Sequence, residues 1–197
     1  MVTVETFLRQ YPRNQHKKGW TRMRPPLLVF ETQISNNEFE RMSRNTRTVS
    51  VQITRLPKAK DLPLPTYKTT GAAGMDLYAA ISSDEPVTLA PGARTAIPTG
   101  LQIALPGGYE AQVRARSGLA KNHGIALVNA PGTIDSDFRG EICVLMINTD
   151  ATEPFLVQRG DRIAQLVVAP IVRVEWNEAF VLGETERGAG GFGSTGR

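Results

Sequence analysis

Two aspartates two residues apart stand in the stretch Asn129-Ala130-Pro131-Gly132-Thr133-Ile134-Asp135-Ser136-Asp137-Phe138-Arg139-Gly140-Glu141. On a strand that spacing aims both carboxylates at one side, and a carboxylate held beside a water is a general base. Aspartates next to a Pro-Gly turn more often bond backbone amides, so both readings stand on these residues alone. A second stretch, Ala115-Arg116-Ser117-Gly118-Leu119-Ala120, sets a guanidinium beside the first amides of a short helix, an arrangement that favours an anion. Ser117 serves equally well there as a helix cap. Gly74-Met75-Asp76-Leu77-Tyr78 carries one acid on an apolar strand, and in Asp161-Arg162-Ile163-Ala164-Gln165-Leu166 the alternation turns Gln165 to the polar side.

The C-terminal stretch Arg187-Gly188-Ala189-Gly190-Gly191-Phe192-Gly193-Ser194-Thr195-Gly196-Arg197 has a different chemistry. Glycine amides approach anionic oxygens closely, two hydroxyls add donors, and two arginines add charge. This composition suits phosphates, yet no Lys follows the glycines, so it is not a P-loop. Ordering so many glycines costs more backbone entropy than one Phe offsets, so the segment should pack only when something binds. On composition alone a solvated terminus is the commoner outcome. Phe192 is the exception, an aromatic ring among glycines and suited to stacking on another flat ring.

Composition narrows the chemistry further. The 197 residues hold one cysteine, Cys143, and two histidines, His16 and His123. That excludes an intrachain disulfide and a cysteine-built zinc site, and it disfavours a histidine metal centre or a Ser-His-Asp triad. Carboxylates, arginines and backbone amides remain. The net charge of +4 is unevenly spread. Residues 1–48 hold 9 of the 23 Lys/Arg and 4 of the 19 Asp/Glu, leaving 14 and 15 for residues 49–197. A near-neutral main domain argues against direct nucleic-acid binding by the core. No apolar run is long enough to span a membrane, and no signal-peptide stretch opens the chain, so the expected location is cytoplasmic.

These residues need elements to position them. Residues 1–48 show no sustained apolar period and read as a basic, poorly ordered extension, with an organelle-targeting segment or residues upstream of the true start as competing readings. Glu5, Glu31, Glu38 and Glu40 count against a transit peptide. From residue 49 short apolar stretches recur at 51–56, 74–81, 87–89, 95–105, 109–114, 125–129, 141–148, 155–157 and 162–174. Pro and Gly signals separate them, which predicts an all-β antiparallel sandwich or barrel. Residues 125–129 and 133–135 are expected to pair as a hairpin across Pro131-Gly132. The stretch 142–147 is apolar on both faces, as if a second subunit covered one of them. One helix of one or two turns is expected from Ser117, ending before Gly124.

The five stretches, in this order and spacing, resemble the signature blocks of the trimeric dUTP diphosphatases: Gly-Met-Asp-Leu, Arg-Ser-Gly-Leu-Ala, Ile-Asp-Ser-Asp-Phe-Arg-Gly-Glu, Arg-Ile-Ala-Gln-Leu and Arg-Gly-x-Gly-Gly-Phe-Gly-Ser-Thr-Gly. The resemblance runs from about residue 51 to the C-terminus. It implies a jelly-roll-like β core at 49–180 and a mobile lid at 181–197, assembled as a homotrimer with active sites at the subunit interfaces. The implied reaction is dUTP plus water to dUMP plus pyrophosphate, with Mg²⁺ chelated mainly by the triphosphate. Such an activity limits uracil incorporation into DNA and supplies dUMP for thymidylate synthesis.

Matched residue by residue, the resemblance makes Asp135 the base that activates the attacking water. Phe138 packs on the deoxyribose and excludes a 2′-hydroxyl, while Asn129, Thr133, Ile134 and Cys143 read the uracil edge. Arg116, Ser117 and Gly118 hold the phosphate chain. Asp76 and Gln165 act through metal-bound water. Phe192 stacks over uracil, and Arg187, Gly193, Ser194 and Thr195 wrap the terminal phosphates. The sequence departs from the family pattern at Ala115, where Pro is common, and at Phe138, where Tyr is frequent; neither removes a functional group. A dCTP deaminase of the same fold and a catalytically inactive nucleotide-binding homologue are the alternatives. The Ile-Asp-Ser-Asp block and the complete tail speak against both.

Overall fold

The computed structural model describes residues 48–191 and Ser194; residues 1–47, where most of the basic extension falls, lie outside them. The chain divides between Arg47 and Thr48, and the unit from Thr48 onward is the one described below. Its strands, in chain order, are β1 (Gln52–Arg55), β2 (Met75–Tyr78), β3 (Val87–Leu89), β4 (Arg94–Pro98), β5 (Leu101–Ala104) and β6 (Tyr109–Arg114). After the helix α1 (Ser117–His123) come β7 (Ile125–Leu127), β8 (Gly132–Ile134), β9 (Cys143–Asn148), β10 (Phe155–Val157) and β11 (Arg162–Pro170). A 3₁₀ turn at Pro57–Ala59 follows β1.

Every pairing is antiparallel. The four-stranded sheet runs β2-β11-β6-β8, the three-stranded sheet β4-β9-β7, and β1-β5 and β3-β10 form two-stranded ribbons. This is the expected all-β, jelly-roll-like class. Burial alternates along the strands, as a sheet with one wet face requires. Leu101 and Ile103 of β5, Ala111 and Val113 of β6, and Val144 and Met146 of β9 all point into one core with Leu77, Leu89, Ile97, Ile125, Val157 and Ile163. In β9 the intervening Cys143 and Leu145 are exposed, so the single chain covers only one face of the strand expected to be buried on both.

The opposite face of the four-stranded sheet is polar. Residues directly opposite in an antiparallel ladder share a face, and the register sets Gln165 of β11 between Asp76 of β2 and Arg114 of β6. The β11–β2 ladder slips between Arg162 and Ala164, where Ile163 has no partner. This bulge buries Ile163 and Ala164 together. It also returns Arg162 to the face that carries Gln165.

Two expectations fail here for physical reasons. Residues 125–129 and 133–135 do not pair with each other: β7 adds to β9 and β8 adds to β6, so Pro131-Gly132 carries the chain from one sheet to the other. Each three-residue arm finds a six-residue partner, and Ile125, Leu127 and Ile134 all reach the core that way. The run at 95–105 is two strands, broken at Thr99-Gly100. Gly100 has φ +66° and lies over Ala59, whose Cβ would be 2.2 Å from any Cβ at position 100. Gly100→Ala therefore meets both strain and overlap, and should lower stability by about 2–4 kcal/mol in a urea titration.

Candidate functional site

Asp135 follows directly on β8, whose Gly132 and Ile134 face the core while Thr133 is exposed. The chain then turns, and the Phe138 amide donates to the Asp135 carbonyl at 3.2 Å. Asp135 and Asp137 therefore lie at a strand end and in a turn, not side by side on a strand as their spacing suggested. Arg139 clamps this turn by donating through Nη1 to the carbonyls of Ser136 and Phe138, each at 2.7 Å. The Phe138 ring folds over Gly140, where a Cβ would come within 2.6 Å of Cζ. Only glycine permits that approach, a requirement that the sequence alone does not show.

Past Gly140 the chain enters β9, and the two segments enclose a cavity of about 270 Å³. Asn129, Thr133, Ile134, Asp135, Phe138 and Cys143 all line it, joined by Val113, Gly132, Glu141, Ile142 and Leu145. Val113, Ile134, Phe138, Ile142 and Leu145 give it apolar surface, and Asp135, Glu141, Asn129 and Thr133 give it polar groups. A flat, mostly apolar ring with polar edges fits this shape. Burial pushes the Cys143 thiol above its ordinary range; Glu141 adds to the rise and Lys58 opposes it. That rise disfavours the thiolate, the nucleophilic form of the side chain.

A second group of residues stands on the polar face of the four-stranded sheet. Asp76, only 4% exposed, accepts from Arg116 Nε through Oδ1 and from Arg162 Nη1 through Oδ2, both at 3.1 Å. Arg116 also donates to the Arg162 carbonyl at 3.0 Å. Each carboxylate oxygen thus accepts from one guanidinium group, and Asp76 orients two arginines. Arg162 was not singled out from the sequence, although the charged residue opening the Arg-Ile-Ala-Gln stretch was the available signal. Arg116, not Ser117, is the helix cap residue, and no side chain caps α1. Ser117 and Gly118 are exposed in its first turn, and Gly124 closes the helix with φ 62°.

Neither Arg116, Ser117, Gly118, Asp76 nor Gln165 lines the cavity. In the tail, Arg187 Nε donates to the Gly190 carbonyl at 2.8 Å, and the Ser194 amide bonds to Gly191. Phe192, Gly193 and Thr195 lie outside the described residues. Among the described residues no group of three or more His, Cys, Asp and Glu is placed to hold a metal ion, and no helix is long and apolar enough to cross a membrane.

A profile of the dUTPase family matches residues 60–196. Among solved structures, a mutant of the Staphylococcus bacteriophage 80alpha dUTPase with dUpNHpp is 25% identical, with a TM-score of 0.67 over 76% of this chain and 100% of that one. A second mutant of that enzyme with dUpNHpp is 26% identical, with a TM-score of 0.64 over 76% and 100%. A mutant dUTPase from phage phi11 of S. aureus, described with a structural Mg(II) ion, shares the fold at 22% identity, with a TM-score of 0.58 over 68% of this chain and 98% of that one.

Removing the buried carboxylate tests the arginine cluster. Asp76→Ala leaves two guanidinium groups facing each other without a counter-ion, and should cost about 2–4 kcal/mol of unfolding free energy. A denaturation midpoint unchanged from that of the parent protein would contradict the geometry.

Proposed function

Given that the chain belongs to the dUTPase family and is a dUTP diphosphatase, we propose how its residues divide the work of hydrolysing dUTP to dUMP and pyrophosphate. The observation that supports this division is the single cavity gathering Asn129, Thr133, Ile134, Asp135, Phe138 and Cys143. Uracil enters between the segment around Thr133 and the start of β9. The backbone edges of Thr133, Ile134 and Cys143, with the Asn129 amide, pair with its polar atoms, and the apolar surface takes its face. A cavity this narrow rejects a 5-methyl by overlap and cytosine by a mismatched donor pattern. Phe138, held by Gly140 and the Arg139 clamp, packs against the deoxyribose and fills the place of a 2′-hydroxyl.

Asp135, which lines the same cavity, is given the general-base role. Its carboxylate takes a proton from a water as that water's oxygen bonds to the α-phosphorus. The bond from the α-phosphorus to the bridging oxygen breaks, and pyrophosphate leaves with the electron pair. In-line geometry requires the phosphate chain to be fixed on the far side. Arg116, oriented by Asp76, supplies charge there, and Ser117 and Gly118 supply donors. Arg187 and Ser194, with Phe192, Gly193 and Thr195, close over the nucleotide and exclude water.

The donor set fits an ion carried in by the substrate, not a resident one, because the one buried carboxylate near the phosphate-binding residues is already paired with two arginines. Mg²⁺ bound to the triphosphate would neutralise phosphate charge. Asp76 orients Arg116, and with acceptor capacity left on each oxygen it and Gln165, on the same face, would also hold water bound to that ion.

The resemblance to the trimeric dUTP diphosphatases supports a homotrimer with active sites at the subunit interfaces, where the base cavity of one copy and the arginine cluster of another would face one substrate. The exposed Cys143 and Leu145 of β9 supply apolar surface for such a contact. We assign residues 1–48 no part in the chemistry, and place the enzyme in the cytoplasm with its nucleotide.

Pyrophosphate release from dUTP, measured with and without Mg²⁺ beside dCTP, dTTP and UTP, tests the reading. Selective, Mg²⁺-stimulated turnover of dUTP is expected; release from UTP at an equal rate would remove the role given to Phe138. Asp135→Asn should keep nucleotide binding in a calorimetric titration while kcat falls by about 10²–10⁴. Undiminished turnover in that variant would end the assignment of the base.

A further inference from the structure

The cavity wall formed by Glu141, Ile142 and Cys143 does not hold itself in place. Glu141 Oε1 accepts from the Gly100 amide at 2.7 Å, and Oε2 pairs with Lys58 Nζ at 2.8 Å. The Ile142 amide donates to the Leu101 carbonyl at 2.8 Å, and the Thr99 hydroxyl donates to the Ile142 carbonyl at 2.7 Å. Gln102 Nε2 adds a bond to the Arg139 carbonyl at 2.8 Å. The wall is thus stitched to the turn between β4 and β5, and Glu141 supplies the only charged stitch.

That turn is itself fixed from below. Gly100 sits on Ala59, and its carbonyl accepts from the Leu56 amide at 2.8 Å. Arg159 holds the 3₁₀ turn from its far side, donating to the Lys58 carbonyl at 2.7 Å and to the Ile81 carbonyl at 2.7 Å. Lys58 therefore approaches Glu141 from a backbone with little freedom. It precedes the part of the chain that the family profile covers, which begins at residue 60.

We propose that Glu141, with Lys58 as its counter-ion, is a positioning residue for base recognition: it sets the separation between the Cys143 backbone and the Thr133 segment, and so the width of the slot. This rests on reading the cavity as the uracil site. Glu141 touches no reacting atom. Its loss should therefore weaken recognition of the base more than it slows the chemical step, and should let a bulkier base in. The geometry also ranks the variants. Glutamine keeps an acceptor for the Gly100 amide and gives up only the lysine, whereas alanine gives up both.

Steady-state kinetics of the full-length assembled protein with dUTP and dTTP test this for Glu141→Ala, Glu141→Gln and Lys58→Met. Glu141→Ala should raise KM for dUTP by about tenfold, with kcat reduced by no more than about twofold, and should narrow the dUTP-over-dTTP ratio of kcat/KM. Glu141→Gln and Lys58→Met should each raise KM for dUTP by only about two- to threefold and keep most of that ratio, to within about threefold of the parent. A lowered melting temperature with KM and selectivity unchanged in all three variants would overturn the proposal and leave Glu141 a purely structural residue. If Glu141→Ala does not fold, the other two decide: KM for dUTP unchanged in both, instead of raised about two- to threefold, overturns it. Failure of the parent protein to hydrolyse dUTP would overturn the function and the positioning role together, whereas an active parent with indifferent variants overturns the positioning role alone.

Discussion

Ile163 has no partner in the ladder between β11 and β2, and that one unmatched residue decides which side chains meet on the polar face of the four-stranded sheet. Under strict alternation Arg162 and Gln165 would point to opposite sides. With the bulge, Ile163 and Ala164 both enter the core, and Arg162 and Gln165 share a face with Asp76. The carboxylate of Asp76 then lies between two guanidinium groups and is almost wholly shielded from water. A buried aspartate is tolerable only when its oxygens are satisfied, and here both are. The charge that results is net positive, and it reaches solvent more through Arg162 than through Arg116.

The cavity depends on a different device, close approach at glycine. Gly132 lets the chain leave β7 and enter β8 with Asn129 against it, a Cβ there being 3.0 Å from Nδ2. Gly140 lets the Phe138 ring lie flat beside the opening of the cavity, and Gly100 lets the 3₁₀ turn press up beneath the strand junction. Three absent side chains thus shape the pocket as much as those that line it. Close packing turns each of them into a fixed distance between backbone segments.

Most of the strand content was legible because Pro and Gly mark where strands stop. The stretches at 87–89, 109–114 and 155–157 form strands over those residues. Asn129, Thr133, Ile134, Asp135, Phe138 and Cys143, singled out through the signature blocks, do gather around one cavity. Partner choice was not legible. Pro131-Gly132 has the look of a hairpin turn, but which strand an arm joins depends on residues tens of positions away, and the longer β6 and β9 offered each arm more ladder and more core. Ser117 looked like a cap because caps are inferred from residue type, whereas the backbone placed the boundary one residue earlier. The Gly100–Ala59 contact and the Lys58–Glu141 pair left no trace in the sequence, because both join segments that are distant in the chain.

The pairing of β2 with β11 has a consequence for how the protein comes into being. It joins residues 75–78 to 162–166, and β11 is also the partner of β6. The four-stranded sheet therefore cannot close while the chain is still being synthesised through β10; until β11 arrives, β2 and β6 each present an open edge to whatever is near. Topologies built on such distant contacts fold slowly, because the loop-closure entropy is spent before the ladder forms. Between the synthesis of β2 and that of β11 these unpaired edges are open to misassociation.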